Sequence, residues 1–326
     1  MCIMNVYKEP EGMMKYRKLG KTGIDVSEIC LGTWVFGGDL WGEVDDNVSE
    51  TVVRAAIDLG VNFIDTAPIY GAGRSESVIG KAIKGRRDEV VLATKCGLKP
   101  KGKGIEVDLS CEFIREDLEN SLKRMGVETI DLYQCHWPDK KTPFDETFRE
   151  LKKFVREGKI KHIGISNFDA DETTAALERA EIVSNQVQYS ILDRSVEEEL
   201  FPVLNERKVS LLPYGILGGG ILTGKYRTPP EVKPGDVKDF FYKFYKEPEW
   251  SRVMKLVAVM DKIAEEHDAS DSHVAINWML WHKEAASCIV GCRTPEQLKE
   301  NIKALDWNLS ARDAQELDQI SRKISI

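Results

Sequence analysis

Eight short apolar runs rich in β-branched residues recur along this chain, each followed by a polar loop and then by helical periodicity. The runs are Ile29–Thr33, Asn62–Asp65, Val90–Thr94, Ile130–His136, Ile163–Ser166, Ile182–Gln188, Ser210–Tyr214 and Ser287–Gly291. Helical patterns such as Ser49–Leu59, Cys111–Met125, Phe144–Arg156 and Ala170–Arg179 lie between them. Strands joined by crossovers of helical length can pair in parallel, and a parallel sheet needs both faces covered. Eight such units without a linker between halves predict an α/β fold closed as a (β/α)8 TIM barrel. A doubly wound open sheet uses the same alternation but carries a Gly-rich fingerprint after its first strand. Here Gly32-Thr33-Trp34-Val35-Phe36-Gly37-Gly38 has a different spacing and does not open directly into a helix, which favours the barrel.

Two segments depart from the alternation. Lys15 to Val26 reads as an N-terminal hairpin turning at Gly20–Gly23, placed to plug the barrel floor. Thr223 to Glu249, after the seventh strand, is a long irregular stretch with four prolines. In it or just beyond lie Phe240, Phe241, Tyr242, Phe244, Tyr245 and Trp250, and a lid over the active face is expected there. Residues 1–14 are expected to form a flexible extension, and 15–326 a single domain.

The chain has 326 residues, of which 42% are apolar and 31% charged, the balance of a globular protein with a substantial core. Its net charge of −8 argues against a nucleic-acid partner, because binding phosphate requires a basic face. No apolar run approaches the roughly 20 residues that span a bilayer, so no membrane partner is expected. Met1 to Met14 lacks the pattern of a secretory signal, and the seven cysteines show no CxxC spacing. Reduced thiols in a cytoplasmic protein are the simplest reading, and no metal site is expected.

In such barrels the chemistry sits at the C-terminal ends of the strands. Reading those ends gives Asp65, Lys95, His136, Asn167, Gln188 and Tyr214, with Tyr70 in the loop after Asp65. Each alone has a bland explanation: Asp65 as a strand terminator, Lys95 as a solvated loop residue, His136 as a core histidine. Their joint placement on one face indicates a site. A tyrosine phenol is a good hydrogen-bond donor but a reluctant acid, and a nearby ammonium eases release of its proton. Lys95 can supply that charge, Asp65 can hold Lys95 in place, and His136 can orient a carbonyl oxygen or share a proton relay. Hydride arriving at a carbonyl carbon would then build oxygen charge that Tyr70 quenches.

The stretch Asn62-Phe-Ile-Asp65-Thr-Ala-Pro-Ile-Tyr70-Gly71, with Gly73-Arg74-Ser75-Glu76, resembles the active-site signature of the aldo-keto reductases. The resemblance continues through Ala93-Thr94-Lys95-Cys96-Gly97, Tyr133-Gln-Cys-His136-Trp137 and Ile163-Gly-Ile-Ser166-Asn167-Phe168. It ends with Leu222-Thr-Gly-Lys-Tyr226 and the run from Gly291 to Asn301, and it favours the microbial and potassium-channel-β-like branch. The resemblance implies that Tyr70 is the general acid/base, tuned by Lys95 and Asp65, and that His136 positions the carbonyl. It implies too that Ser166, Asn167 and Gln188 hold a nicotinamide carboxamide while Tyr214 stacks on its ring.

Gly32, Thr33 and Trp34, after the first strand, complete the expected cofactor contacts on that side. At the far end, Gly291 closes the last strand, and Thr294-Pro295 opens a helix whose free N–H groups suit a phosphate. Arg293 could grip the 2′-phosphate of NADP, and Gln297 and Asn301, four apart on one helical face, could reach the adenine. The loop Leu217-Gly218-Gly219-Gly220 would let backbone approach the pyrophosphate, and Gly215 is a further expected cofactor contact. Gly215-Ile216-Leu217 replaces the Ser-Pro-Leu of many members, and Gln297 replaces an arginine of many NADP-preferring ones. NADP(H) is expected, with NAD(H) as the alternative. Cys96 and Cys292, beside the site, are expected to be small core fillers rather than redox sensors.

The expected activity is reversible reduction of an aldehyde or ketone to an alcohol. The alternatives are an NAD-linked polyol or inositol dehydrogenase and a cofactor-sensing regulatory subunit. The partner is a small carbonyl or alcohol, its identity set by Trp34, Trp41, the stretch Leu98 to Asp108 and the aromatic lid. Oligomeric state is not legible.

Overall fold

All eight apolar runs become strands of one parallel sheet that curls until its edges meet. The structure, a computed structural model, describes residues 14–38, 41–102, 104–232 and 237–324, with the side chain of Phe240 left out. The expected extension over residues 1–14 therefore lies, Met14 aside, outside the described residues.

The chain begins with an antiparallel hairpin, β1 (Tyr16–Lys18) and β2 (Asp25–Ser27). The barrel follows as β3 (Ile29–Gly32), α1 (Asp46–Asp58), β4 (Phe63–Asp65), α2 (Arg74–Ala82) and β5 (Val91–Cys96). A second antiparallel hairpin, β6 (Leu98–Lys101) and β7 (Gly104–Val107), precedes α3 (Cys111–Met125), β8 (Ile130–Cys135) and α4 (Phe144–Arg156). Then come β9 (Ile160–Ser166), α5 (Ala170–Leu177), β10 (Ile182–Gln188), α6 (Leu200–Arg207) and β11 (Ser210–Tyr214). After the long loop, which includes α7 (Val237–Phe241), follow α8 (Glu249–Glu266), α9 (Asp271–Trp281), β12 (Cys288–Gly291), α10 (Pro295–Ile302) and α11 (Ala311–Ile324). The strand order is β11-β10-β9-β8-β5-β4-β3-β12. Closure comes from a parallel bridge between Leu211 and Ala285, where Leu211 N donates to Glu284 O and Ala286 N to Leu211 O, each at 3.0 Å.

Side chains alternate between the faces of a strand, and that period sorts the core into two regions. Ile29, Leu31, Ile64, Leu92 and Tyr133 face outward and pack under the helices. Cys30, Phe63, Ala93, Leu132 and Leu212 face inward and meet Leu19 and Val26 of the first hairpin. That hairpin plugs the barrel floor, as the sequence predicts. Gly20 makes the plug fit: its φ is +52°, and a Cβ there would stand 2.5 Å from the carbonyl oxygen of Val183. Its N–H donates to Ser210 Oγ at 2.7 Å. Stepping two residues along the inward face carries Phe63 to Asp65, Ala93 to Lys95, Leu132 to Gln134 and Leu212 to Tyr214. The apolar plug at one end and the polar groups at the other are thus one alternation read in sequence order.

Candidate active site

Lys95 and Asp65 meet at the C-terminal mouth of the barrel, on the adjacent strands β5 and β4. Lys95 Nζ lies 2.7 Å from Asp65 Oδ2, with exposures of 0% and 3%, so both charges are out of water. A buried ion pair is tolerable only when its remaining lone pairs and protons find partners. Here they do. Lys95 Nζ also donates to Thr66 O at 2.9 Å and to Tyr70 Oη at 3.4 Å. Asp65 Oδ1 accepts from Gln186 Nε2 at 2.8 Å and from Gln134 Nε2 at 3.2 Å.

Burial works to discharge Lys95, but the Asp65 carboxylate and then Tyr70 outweigh it and hold the ammonium above its ordinary value. Burial raises the Tyr70 phenol, and the Lys95 charge opposes that rise. His136 is driven well below the usual histidine range by burial and then by Lys95, so it stands as a neutral imidazole. Its ring meets Tyr70 edge-on, with centroids 6.1 Å apart. Trp34 stacks on Tyr70 at 6.0 Å, and Trp41 and Phe241 pack edge-on against Trp34 at 5.5 and 5.1 Å. The loop carrying Tyr70 is pinned by hydroxyls. Thr33 Oγ1 donates to Asp65 O at 2.8 Å, and Ser75 Oγ lies 2.8 Å from Thr33 Oγ1 and 2.9 Å from Thr66 Oγ1.

A second group gathers beside the first. Asn167, with φ +62°, donates its amide to Ser166 Oγ at 3.1 Å and to His136 O at 3.0 Å. Tyr214 Oη donates to Asn167 Oδ1 at 2.9 Å, and Ser166 Oγ to Gln186 O at 2.8 Å. Gln188 ends β10 in register with Tyr214. Beyond Gly215 and Leu217, Gly218, Gly219 and Gly220 take φ of +56°, +63° and +100°, a path that side-chain-bearing residues resist. Tyr242 and Tyr245 cover this turn: a Cβ on Gly219 would stand 2.5 Å from the Tyr242 ring, and Tyr245 Oη donates to Gly219 O at 3.0 Å. The aromatic stretch therefore folds inward as a packed cover, with Tyr242, Phe244, Tyr245 and Trp250 buried.

Gly32 and Gly291 are paired in register between β3 and β12. Thr294 caps α10, accepting from Gln297 N at 3.3 Å, and Pro295 takes its first turn. Arg293 holds the carbonyl of Trp41 with its guanidinium, while its N–H donates to Gln297 Oε1 at 2.8 Å. Asn301 turns its amide onto Cys292 Sγ at 3.4 Å. Burial pushes the Cys292 thiol up to about 12 and Cys96 well above its usual range, which suits core fillers and not redox-active thiols. Gln134 and Gln186 escape the sequence reading, although each lies two residues before a site position on its strand, His136 and Gln188. That period of two is the signal that marks them.

The family model described as the Aldo/keto reductase family matches residues 28–322. The chain belongs to the aldo/keto reductase family. It is 38% identical over 310 residues to aldo-keto reductase YhdN of Bacillus subtilis, covering 94% of this chain and 93% of that protein. It is 35% identical to the NADH-specific methylglyoxal reductase of Escherichia coli, covering 92% of this chain and 96% of that one. The solved structure of a glycerol dehydrogenase from Gluconobacter oxydans superposes with a TM-score of 0.87 at 32% identity, covering 94% of this chain and 95% of that one. Aldo/keto reductases are oxidoreductases that use nicotinamide cofactors, and membership of the family supports a carbonyl reductase role for this chain. Among the described residues no helix is long and apolar enough to cross a membrane.

Proposed function

We propose that this aldo/keto reductase is a cytoplasmic, NADP(H)-linked carbonyl reductase in which Tyr70 donates the proton. The observation that carries the proposal is the chain of contacts from Asp65 through Lys95 to the Tyr70 hydroxyl, with neutral His136 alongside. A bound nicotinamide cofactor supplies a hydride to the carbonyl carbon. Tyr70 Oη gives its proton to the carbonyl oxygen as charge builds there, and the Lys95 ammonium stabilises the phenolate left behind. Asp65 keeps Lys95 charged and aimed. His136 offers a ring N–H to the same oxygen and, being neutral, does not compete as an acid. In the oxidative direction Tyr70 acts as the base.

The residues present suit the cofactor. Ser166, Asn167 and Gln188 offer polar groups for a carboxamide, and Tyr214 beside them offers a flat face. The turn through Gly215, Leu217 and Gly219, with positive φ at both glycines, supplies backbone groups for a pyrophosphate, and Gly32, Thr33 and Trp34 follow β3, the strand beside β12. Gly291, the capped start of α10 with Thr294, and Arg293 suit a terminal phosphate; Gln297 and Asn301 flank the adenine side. The aromatic wall of Trp34, Trp41 and Phe241 favours a small aldehyde or ketone. Gln297, where many NADP-preferring members have arginine, together with the NADH-specific relative, supports NAD(H) as the second reading.

Tryptophan-fluorescence titrations with NADPH and NADH separate the two. Arg293→Ala is expected to weaken NADPH by at least about 10-fold more than NADH, since a charge-assisted guanidinium–phosphate pair is worth about 1.5–3 kcal/mol. Equal losses would place the 2′-phosphate elsewhere.

A further inference from the structure

The Asp65 carboxylate reaches its second and third partners across the barrel interior, and one of these has no role in the scheme above. Gln134 is fully buried, on β8. Its Nε2 donates to Asp65 Oδ1 at 3.2 Å, and its Oε1 lies 3.4 Å from Gln186 Nε2. Its register partner on β9 is Gly164, where a Cβ would come within 2.8 Å of Gln134 Cγ. The neighbouring strand thus presents the one residue type that leaves room for this side chain to cross toward Asp65. Burying a primary amide costs more than burying a leucine of similar size unless its hydrogen bonds are used. Gln134 spends its amide N–H on the carboxylate and its carbonyl oxygen on Gln186.

We propose that Gln134 is a positioning residue that acts through Asp65: its amide fixes the carboxylate and draws off part of its charge, and so sets how readily Tyr70 releases its proton. The proposal rests on the reading of Tyr70 as proton donor. Asp65 Oδ2 faces Lys95 while Oδ1 takes the two amides, so each amide lowers the negative field felt at Lys95 and Tyr70. The titratable groups facing this cluster are Cys30 on β3, Lys95 on β5, His136 after β8, Tyr214 on β11 and Tyr70 itself. None of the others donates to Asp65 Oδ1. Removing the Gln134 amide leaves Asp65 more strongly negative and holds the Tyr70 phenol protonated to higher pH.

Gln134→Leu removes the amide at similar volume. The absorbance of the Tyr70 phenolate, isolated by subtracting the titration of the matching Tyr70→Phe protein, reads the effect without cofactor or substrate. Tyr70 is expected to titrate about half a pH unit higher in Q134L than in the unsubstituted protein. The alkaline limb of the kcat profile for reduction of a small aldehyde is expected to move with it. Coincident Tyr70 titrations in folded Q134L would overturn the proposal. Should Q134L not fold, Gln134→Met decides by the same measurement. A shifted Tyr70 titration with an unmoved alkaline limb of kcat would refute Tyr70 as proton donor and leave its control by Gln134 standing.

Discussion

At the residue scale the site is governed by what burial does to charge. Lys95 stays charged because Asp65 is its partner, and Thr66 O and two glutamine amides take up the remaining valences of the pair. His136, with no carboxylate against it, goes the other way and sheds its proton. That carries a pH signature. The unfolded chain protonates this histidine below about pH 6.5, whereas the fold keeps it neutral well below that. The unfolded state then binds more protons, so stability falls as pH drops through the unfolded value. His136→Asn should lose less stability than the unsubstituted protein between pH 7 and 5.5 in urea unfolding; equal losses would contradict a buried neutral imidazole. Asp65, Lys95 and His136 were legible in the sequence because a charged or ionisable group at a strand end is conspicuous, and Tyr70, in the loop after β4, through the resemblance. Gln134 was not, since an uncharged amide inside an apolar run carries no signal until the barrel closes around Asp65.

At the element scale, helices with strong boundary chemistry read accurately. α3 is bounded by the Ser110 cap and by Gly126 with φ +64°, and both ends fall where the pattern sets them. α1 starts three residues before the periodic run at Ser49, because Asp45 caps it by accepting from Asn47 N at 2.8 Å. The β6–β7 hairpin was read only as a specificity loop. Its Lys-Pro-Lys sequence has no apolar alternation, and cross-strand ion pairs from Lys99 and Lys101 to Glu106 hold it instead. The floor hairpin shows the opposite case, in which one backbone position decides the fit. Gly20→Ala combines a positive φ with an oxygen at 2.5 Å, so it should cost about 1–3 kcal/mol. The folded fraction should keep its kcat, because the plug lies at the end remote from Tyr70. Thermal unfolding with active-site titration tests both, and an unchanged Tm would mean the hairpin does not seat on Val183.

At the scale of the whole molecule, eight repeats of one unit converge their strand ends on a single mouth, which is why the barrel itself was readable from alternation alone. The long loop after β11 was harder. Its prolines signal irregularity, but only the fold brings Tyr242 and Tyr245 onto the glycine turn and Phe241 onto Trp34. That packing joins the wall around Tyr70 to the glycine turn, which the proposed function assigns to the pyrophosphate. On the proposed reading, Tyr70 acts in the chemical step and not in nucleotide recognition. The decisive measurement is single-turnover oxidation of bound NADPH on mixing with a small aldehyde that the unsubstituted protein reduces, followed for that protein and for Tyr70→Phe after matched fluorescence titrations. The expected result is nearly unchanged NADPH binding in Tyr70→Phe with oxidation slowed by at least about 100-fold, the loss of a positioned general acid. Oxidation at an equal rate in both proteins would contradict the assignment of Tyr70 as the proton donor.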